Sequence, residues 1–338
     1  MKPLSIKDIA KKANVSITTV SFILNGKAEK MRISQDMITK VQTIIKDLGF
    51  RPNQVARSLR TGNSKTIGLI VEDISNPFFA SIARLIEDKA YKHGYKIIYS
   101  STENDIDKAK GLFRMFKSRQ VDGYIIAPML GMEEDIKELI SDNIPVVLFD
   151  RNLPDLDVNC VLVDNKGGTF AATEFLINKG KKKIAFVTVD IEVQQIKDRQ
   201  RGYEDALKLH KLKPIKKLCI QIPFTNSAAE TTTELIRFFT DNPDIEAVLF
   251  STNYLAVRGL FCFRDMDKKI DENFQVVAYD DHDIFELHCP PISVVDQPIE
   301  RIADNVIDLI LKEMVKVNTF GEKEEKSNVI LDASFIER

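Results

Sequence analysis

The sequence predicts a small all-α head over residues 1–50, a connector over residues 51–64, and an α/β core of two doubly wound parallel-sheet subdomains over residues 65–338. Three observations predict it. The 338 residues exceed what one hydrophobic core usually serves. The first 50 residues carry three short helical patterns, and from Ile67 onward apolar runs alternate with amphipathic stretches in two successive series.

Charge separates head from core. The whole chain carries a net charge of −2, but residues 1–60 hold twelve cations against four anions, a net +8, which leaves −10 for the rest. So cationic a head implies an anionic partner, a nucleic acid or another anionic surface. The four cysteines, Cys160, Cys219, Cys262 and Cys289, form no CxxC pair, so neither a disulfide framework nor zinc-site spacing is present, and a reducing cytoplasm fits. The N-terminus lacks the apolar stretch of a signal peptide, and no later run approaches the roughly 20 apolar residues needed to cross a bilayer, so the expectation is neither secretion nor membrane insertion.

In the head, Ser5 and Asp8 resemble a capping box with Asp as a shorter substitute for Glu. Ile6, Ile9, Ala10 and Ala13 then recur on one helical face. Asn14 and Val15 make a tight connection to Ser16, a second N-cap, and Val20, Ile23 and Leu24 are the expected buried stripe of a second helix that Asn25-Gly26 stops. A third helix from Ser34 to Gly49 is expected to bury Met37, Val41, Ile44, Ile45 and Leu48. Three short helices with a tight first turn match a helix-turn-helix unit. The outer face of its second helix carries Ile17, Thr18, Ser21 and Phe22, which suits a major groove: apolar groups contact thymine methyls, hydroxyls reach base edges or phosphates. Phe22 packing against the third helix or the connector is an equal alternative.

The connector begins Arg51-Pro52-Asn53, where Pro52 stops the third helix and Asn53 can cap a new one. Val55 and Leu59 share a face of under two turns, too short to hold alone in water. Leu59, flanked by Arg57 and Arg60, has the character of an apolar wedge for a minor groove with arginines on phosphate. Thr61-Gly62-Asn63-Ser64 then reads as a flexible linker.

These stretches, SIKDIAKKANVSITTVSFILNG and GFRPNQVARSLRTGNSKTIGLIV, with NPFF, VVAYDD and VDQP further on, resemble the LacI/GalR family of bacterial repressors over essentially the whole chain. The resemblance implies a homodimer on a pseudo-palindromic double-stranded DNA operator. Ile17 and Thr18 would carry specificity, Ser16, Thr19, Ser21, Asn25 and Arg57 would make backbone or supporting contacts, and Leu59 would be the central minor-groove wedge. Phe22 departs from the family, which often has Arg or His there, so the guanine contact of an arginine is not implied. The core resembles the fold of periplasmic sugar-binding proteins.

In the core, apolar strands IGLIV, KIIYS, GYIIA and VVLFD, then KIAFVTV, LCIQI, AVLFS and QVVAY, alternate with helices expected near 78–92, 106–119, 133–142, 166–179, 199–210, 227–240 and 253–265. A last helix near 299–317 and a final strand VILDASFIER follow. Such sheets bind ligands beyond the carboxyl ends of their strands. Those ends carry Asp73, Ser75, Asn76, Phe78, Phe79, Asp150 and Arg151 in the first series and Arg199, Thr252, Asn253, Asp280, Asp281 and Gln297 in the second. Of these, Ser75, Phe78, Phe79, Asp150, Arg199, Thr252, Asn253, Asp280 and Gln297 are the expected effector contacts. The set suits a small-molecule effector, a sugar or sugar derivative, with a nucleobase as the alternative. Asp150 and Asp280 as helix caps, and Phe79 as core, are the plainer readings. The resemblance favours Arg199, which stands ahead of Gly202, as a ligand contact, and Thr252-Asn253 replaces the family's usual Asn-Asp, removing a carboxylate.

No GxSxG, P-loop or GxGxxG motif supports an enzyme, and no cofactor is implied. His282, His288 and Cys289 are the one grouping close enough to consider for a metal, and no motif supports it. A periplasmic solute-binding protein is disfavoured by the missing signal peptide and the cationic head. No leucine heptad tail follows the last helix, so a dimer rather than a tetramer is expected.

Overall fold

The computed structural model describes residues 4–50, 63–319 and 326–338. It divides into two units, the first through Ser64 and the second from Lys65 to Arg338.

In the first unit, α1 (Ile6–Ala13), α2 (Ile17–Leu24) and α3 (Gln35–Asp47) pack around Ile9, Ala10, Ala13, Val20, Ile23, Ile38 and Val41. Asp8 folds back on Ser5, accepting from its N–H at 2.8 Å and its hydroxyl at 2.7 Å, so the shorter carboxylate does reach. Asn14 ends α1 in the left-handed region, φ 54°, where Asn is among the tolerated residues. Ser16 caps α2 by accepting from the Thr19 N–H at 3.0 Å. The expected stripe of α3 is corrected by part of a turn. Ile38 joins Val41 in the centre, while Met37, Ile44, Ile45 and Leu48, like Leu24 of α2, are half-buried at its margin. In so small a bundle the fully covered strip is narrower than the apolar face.

The second unit contains two six-stranded sheets. The first series gives β1 (Thr66–Val71), α4 (Pro77–Lys92), β2 (Lys96–Ser101), α5 (Ile106–Ser118), β3 (Gly123–Ile126), α6 (Glu133–Ser141), β4 (Val146–Phe149) and β5 (Asn159–Val163). The second gives α7 (Asn165–Asn178), β6 (Ile184–Asp190), α8 (Gln194–Leu209), β7 (Cys219–Pro223), α9 (Ala228–Asp241), β8 (Ala247–Phe250), α10 (Asn253–Asp265), β9 (Gln275–Tyr279), α11 (Asp283–Leu287) and β10 (Ser293–Asp296). Helix α12 (Ile299–Thr319) then returns to the first sheet, packing on α4. Strands β11 (Asn328–Leu331) and β12 (Ser334–Ile336) close the chain.

The strand orders are β11-β5-β4-β3-β1-β2 and β12-β10-β9-β8-β6-β7, all parallel except the antiparallel β12 edge. The strand order reverses between β1 and β3 in one sheet and between β6 and β8 in the other, so each sheet has a topological switch point there. The predicted final strand is two strands in two sheets, because Asp332-Ala333 carries the chain across between them. The chain also crosses at Asp164, between β5 and α7, and at Gln297-Pro298, between β10 and α12. KIIYS is an edge strand rather than a buried one, with Tyr99 half in solvent. Helix α8 starts at Gln194, a turn and more before its expected beginning. That extension puts Gln195 and Arg199 at i and i+4 on one face.

Candidate functional site

The carboxyl ends of the two sheets face each other across a cleft. Its inner chamber, about 50 Å³, is lined by Phe78, Phe79 and Asp150 from the first subdomain and by Arg199, Thr252, Asp280 and Gln297 from the second subdomain and its return crossing. Seven of the nine residues expected from the sequence therefore meet in one place. The other two, Ser75 and Asn253, line a wider outer lobe of about 430 Å³ that shares Glu72, Asn76 and Tyr254 with the chamber.

Asp150 and Asp280 are the residues immediately after β4 and β9, and both sit in the left-handed region, at φ 64° and 68°. Backbone strain of this kind collects at functional sites. Neither caps the helix that follows it: His282 caps α11 through Nδ1, which accepts from the Ile284 N–H at 3.1 Å. Asp280 instead takes the Asn253 N–H at the start of α10 and the side-chain amide of Gln297. Burial pushes both carboxyls up. Asp150 is raised to about 6 by desolvation, against which Arg151 and Arg199 pull. Asp280 is raised by desolvation, opposed by Arg199 and by its bonds to Gln297 and Asn253.

Arg199 is buried and held on three sides. Its Nε donates to Asn165 Oδ1 at 2.8 Å, one terminal nitrogen donates to the Ser251 carbonyl at 2.6 Å, and its Cζ lies 3.6 Å from the centre of the Tyr279 ring. This is an interior position, so the surface ion pair that a lone arginine usually signals does not apply. Phe79 serves both readings weighed for it: buried, it packs edge-on against Phe149 at 6.3 Å in the core and also lines the chamber.

Three residues of the site carry no signal in the sequence. Gln195 bridges the cleft, its Nε2 donating to Asp150 Oδ2 at 3.2 Å. Glu72 pairs with Arg151, which also donates to Asn104 Oδ1 at 3.1 Å and lies 3.4 Å from Asp150. Tyr254, beside Glu72 and Arg151, faces both lobes. Asn253, expected only as a ligand contact, latches the subdomains, its Nδ2 donating to Asn76 Oδ1 at 2.9 Å. Buried oxygens of the site left without a partner among the described residues are Gln195 Oε1, Thr252 Oγ1 and Asn253 Oδ1. Orphaned buried acceptors around a cavity are what a hydrogen-bonding ligand would satisfy.

In the head, Ile17 and Thr18 are exposed at the start of α2, and Ser21, Phe22 and Asn25 are half-buried. Ser16 and Thr19 hydroxyls bond each other at 2.8 Å, and Asn25 donates to the Ser21 carbonyl at 2.6 Å. Phe22 is half-buried and stands outside the cluster that forms the head's core. Asn53, Arg57, Leu59 and Arg60 lie outside the described residues. Among the described residues no helix is long and apolar enough to cross a membrane. The His288 ring is engaged with the Pro290 carbonyl, and no group of three or more potential metal-ligating side chains converges among the described residues.

A three-helix basic head joined to a two-subdomain core with a polar cleft defines a ligand-responsive DNA-binding protein. Residues 5–53 match the family model of bacterial regulatory proteins, lacI family, and residues 64–337 match that of periplasmic binding proteins and the sugar binding domain of the LacI family. The chain belongs to the LacI family; it is a transcription regulator and not an enzyme. It is 32% identical over 337 residues to the HTH-type transcriptional regulator RegA of Clostridium saccharobutylicum, covering 99% of this chain and 98% of that one. It is 30% identical to the ribose operon repressor of Halalkalibacterium halodurans, covering 92% and 91%. Among solved structures, the lac repressor dimer bound to operator and the anti-inducer ONPF shares the fold with a TM-score of 0.84 at 21% identity, over 100% and 98% of the two chains.

Proposed function

We propose that this chain is a cytoplasmic homodimeric repressor whose affinity for a pseudo-palindromic operator is set by a sugar bound in the cleft. The observation that carries the sugar reading is the inner chamber itself. Three buried carboxylates, Glu72, Asp150 and Asp280, two orphaned oxygens, Gln195 Oε1 and Thr252 Oγ1, and two fixed guanidiniums surround it, beside aromatic rings. Acceptors of this density match a ring of hydroxyl donors, and Phe78 and Phe79 give the chamber an apolar wall for the C–H groups of a pyranose or furanose. The relative named for the ribose operon supports the same class of effector.

In the head, Ile17 and Thr18, exposed at the N-terminus of α2, would read base edges as the leading residues of a recognition helix. The hinge residues Arg57, Leu59 and Arg60 would complete the contact in the minor groove. Effector binding would change the relative orientation of the two core subdomains and thereby favour or disfavour pairing of two hinge segments.

A thermal-shift screen of neutral sugars and nucleobases tests the reading. Ligand at a hundredfold excess over its Kd stabilises the native state by about 2.7 kcal/mol, which for a protein of this size raises Tm by several degrees. A sugar is expected to give that shift and to alter operator binding in a fluorescence-anisotropy titration. A shift from nucleobases and none from sugars would overturn the carbohydrate assignment.

A further inference from the structure

We propose that Glu72 is a specificity-determining residue: by pairing with Arg151 it occupies a guanidinium that could otherwise receive an anion, and so restricts the effector to neutral or amine-bearing polyols, excluding phosphorylated and carboxylated sugars. This rests on the reading of the cleft as the effector site.

Two guanidiniums among the described residues face the inner chamber, and both are engaged. Arg199 is fixed by Asn165 Oδ1, the Ser251 carbonyl and the Tyr279 face. Arg151 is fixed by Glu72 and Asn104 Oδ1 through its two terminal nitrogens. Its Nε faces Asp150 at 3.4 Å without a hydrogen bond, a single donor already beside a carboxylate. Recognition of a phosphate or carboxylate by arginine relies on two parallel N–H donors from one guanidinium. The fork of Arg151 is already filled by groups of the protein.

The orphaned oxygens are of the opposite kind. Gln195 Nε2 must donate to Asp150, which leaves Oε1 of the same amide as an orphaned acceptor. Asn76 Oδ1 already accepts the Phe78 N–H as the cap of α4, so Asn253 must present its Nδ2 to it, and Asn253 Oδ1 is left over. The amide orientations are therefore set by their partners, and they leave oxygens for the ligand. Glu72, Asp150 and Asp280 line the chamber against Arg151 and Arg199. The outer lobe adds Asp73 and Glu103 against Arg258. An anionic effector would be desolvated among acceptors and carboxylates, with both terminal nitrogens of Arg151 and the Nε and one terminal nitrogen of Arg199 already given to the protein.

The test compares matched ligands on the full-length protein by isothermal titration calorimetry: a panel of neutral pentoses, hexoses and disaccharides, their 2-amino derivatives, the corresponding sugar phosphates and uronic acids. The wild type is expected to bind a neutral or amino sugar at least tenfold more tightly than its phosphate or uronate. Glu72→Gln removes the charge that holds the Arg151 fork, leaving only a neutral amide acceptor for an anion to displace, so the preference for neutral over anionic ligand should narrow by tenfold or more. The double variant Glu72→Gln/Arg151→Gln should lose that gained anion affinity while keeping the wild-type circular dichroism spectrum. A wild type that prefers the phosphate, or a selectivity ratio unmoved in Glu72→Gln, would overturn the inference and leave the cleft reading standing. No binding by any member of the panel would overturn the cleft reading and this inference with it.

Discussion

Asp150 shows how much of the site is decided by a single residue's surroundings. An aspartate normally ionises near 3.8, and burial raises this one to about 6. Between those values the native protein holds a proton that the unfolded chain has released. The stabilisation from the protonated form is thus complete below about 3.8 and is lost as pH rises through about 6. At about 1.4 kcal/mol per pH unit the loss amounts to roughly 3 kcal/mol. An asparagine side chain at this position would tolerate the same left-handed backbone and cannot titrate. Asp150→Asn should therefore flatten the pH 4–6.5 part of the stability curve and melt at or above the wild type at pH 7.5. Urea denaturation across that range checks it, and a variant curve parallel to wild type would contradict the assigned shift. Sequence alone marked Asp150, Asp280 and Arg199, because parallel sheets place ligands at strand ends and these residues stand there. It did not mark Gln195 or Glu72 as site residues, since their partners lie 45 and 79 positions away and no local pattern announces them.

At the scale of elements, the approach of α7 to α8 explains a residue that the sequence only located. A Cβ on Gly202 would sit 2.3 Å from the Lys166 carbonyl oxygen and 3.0 Å from the Phe170 nitrogen, both backbone atoms that cannot swing aside. Gly202 lets the two helices touch, and the contact fixes the face of α8 that carries Gln195 and Arg199. Gly202→Ala should cost about 1–3 kcal/mol through overpacking. It should also weaken effector binding by displacing Arg199, although Gly202 does not line the chamber. A differential scanning calorimetry trace with unchanged Tm would sink this account. The helices and strands themselves were largely legible, because apolar periodicity reports burial directly. The errors fall where burial is partial or is decided elsewhere. The first turn of α8, QQIKD, carries no apolar stripe because it faces a polar cleft. The last ten residues read as one strand because nothing local distinguishes a strand from two short strands in different sheets.

For the whole molecule, three chain crossings join the two core subdomains, and the Asn76–Asn253 bond and the Gln195–Asp150 bond span the cleft between them. Two neutral or singly charged hydrogen bonds contribute only a few kcal/mol together, so the cleft can open and close at modest cost. A ligand that satisfies the orphaned acceptors would then bias that equilibrium by its differential affinity for the closed form. DNA reading was legible from the +8 charge of residues 1–60 and the helix pattern of the head, and a sugar effector was expected from the strand-end residues, to which the cleft adds its orphaned oxygens. Everything turns on whether the operator-binding head answers to the cleft. The direct measurement is operator affinity, on a site obtained by selection from random duplexes, titrated with the sugar found by thermal shift, for wild type and Arg199→Ala. Saturating the wild type is expected to change operator Kd at least tenfold, with no change in Arg199→Ala, whose affinity without effector stays at the wild-type value. An equal effector-induced change in both proteins would contradict it.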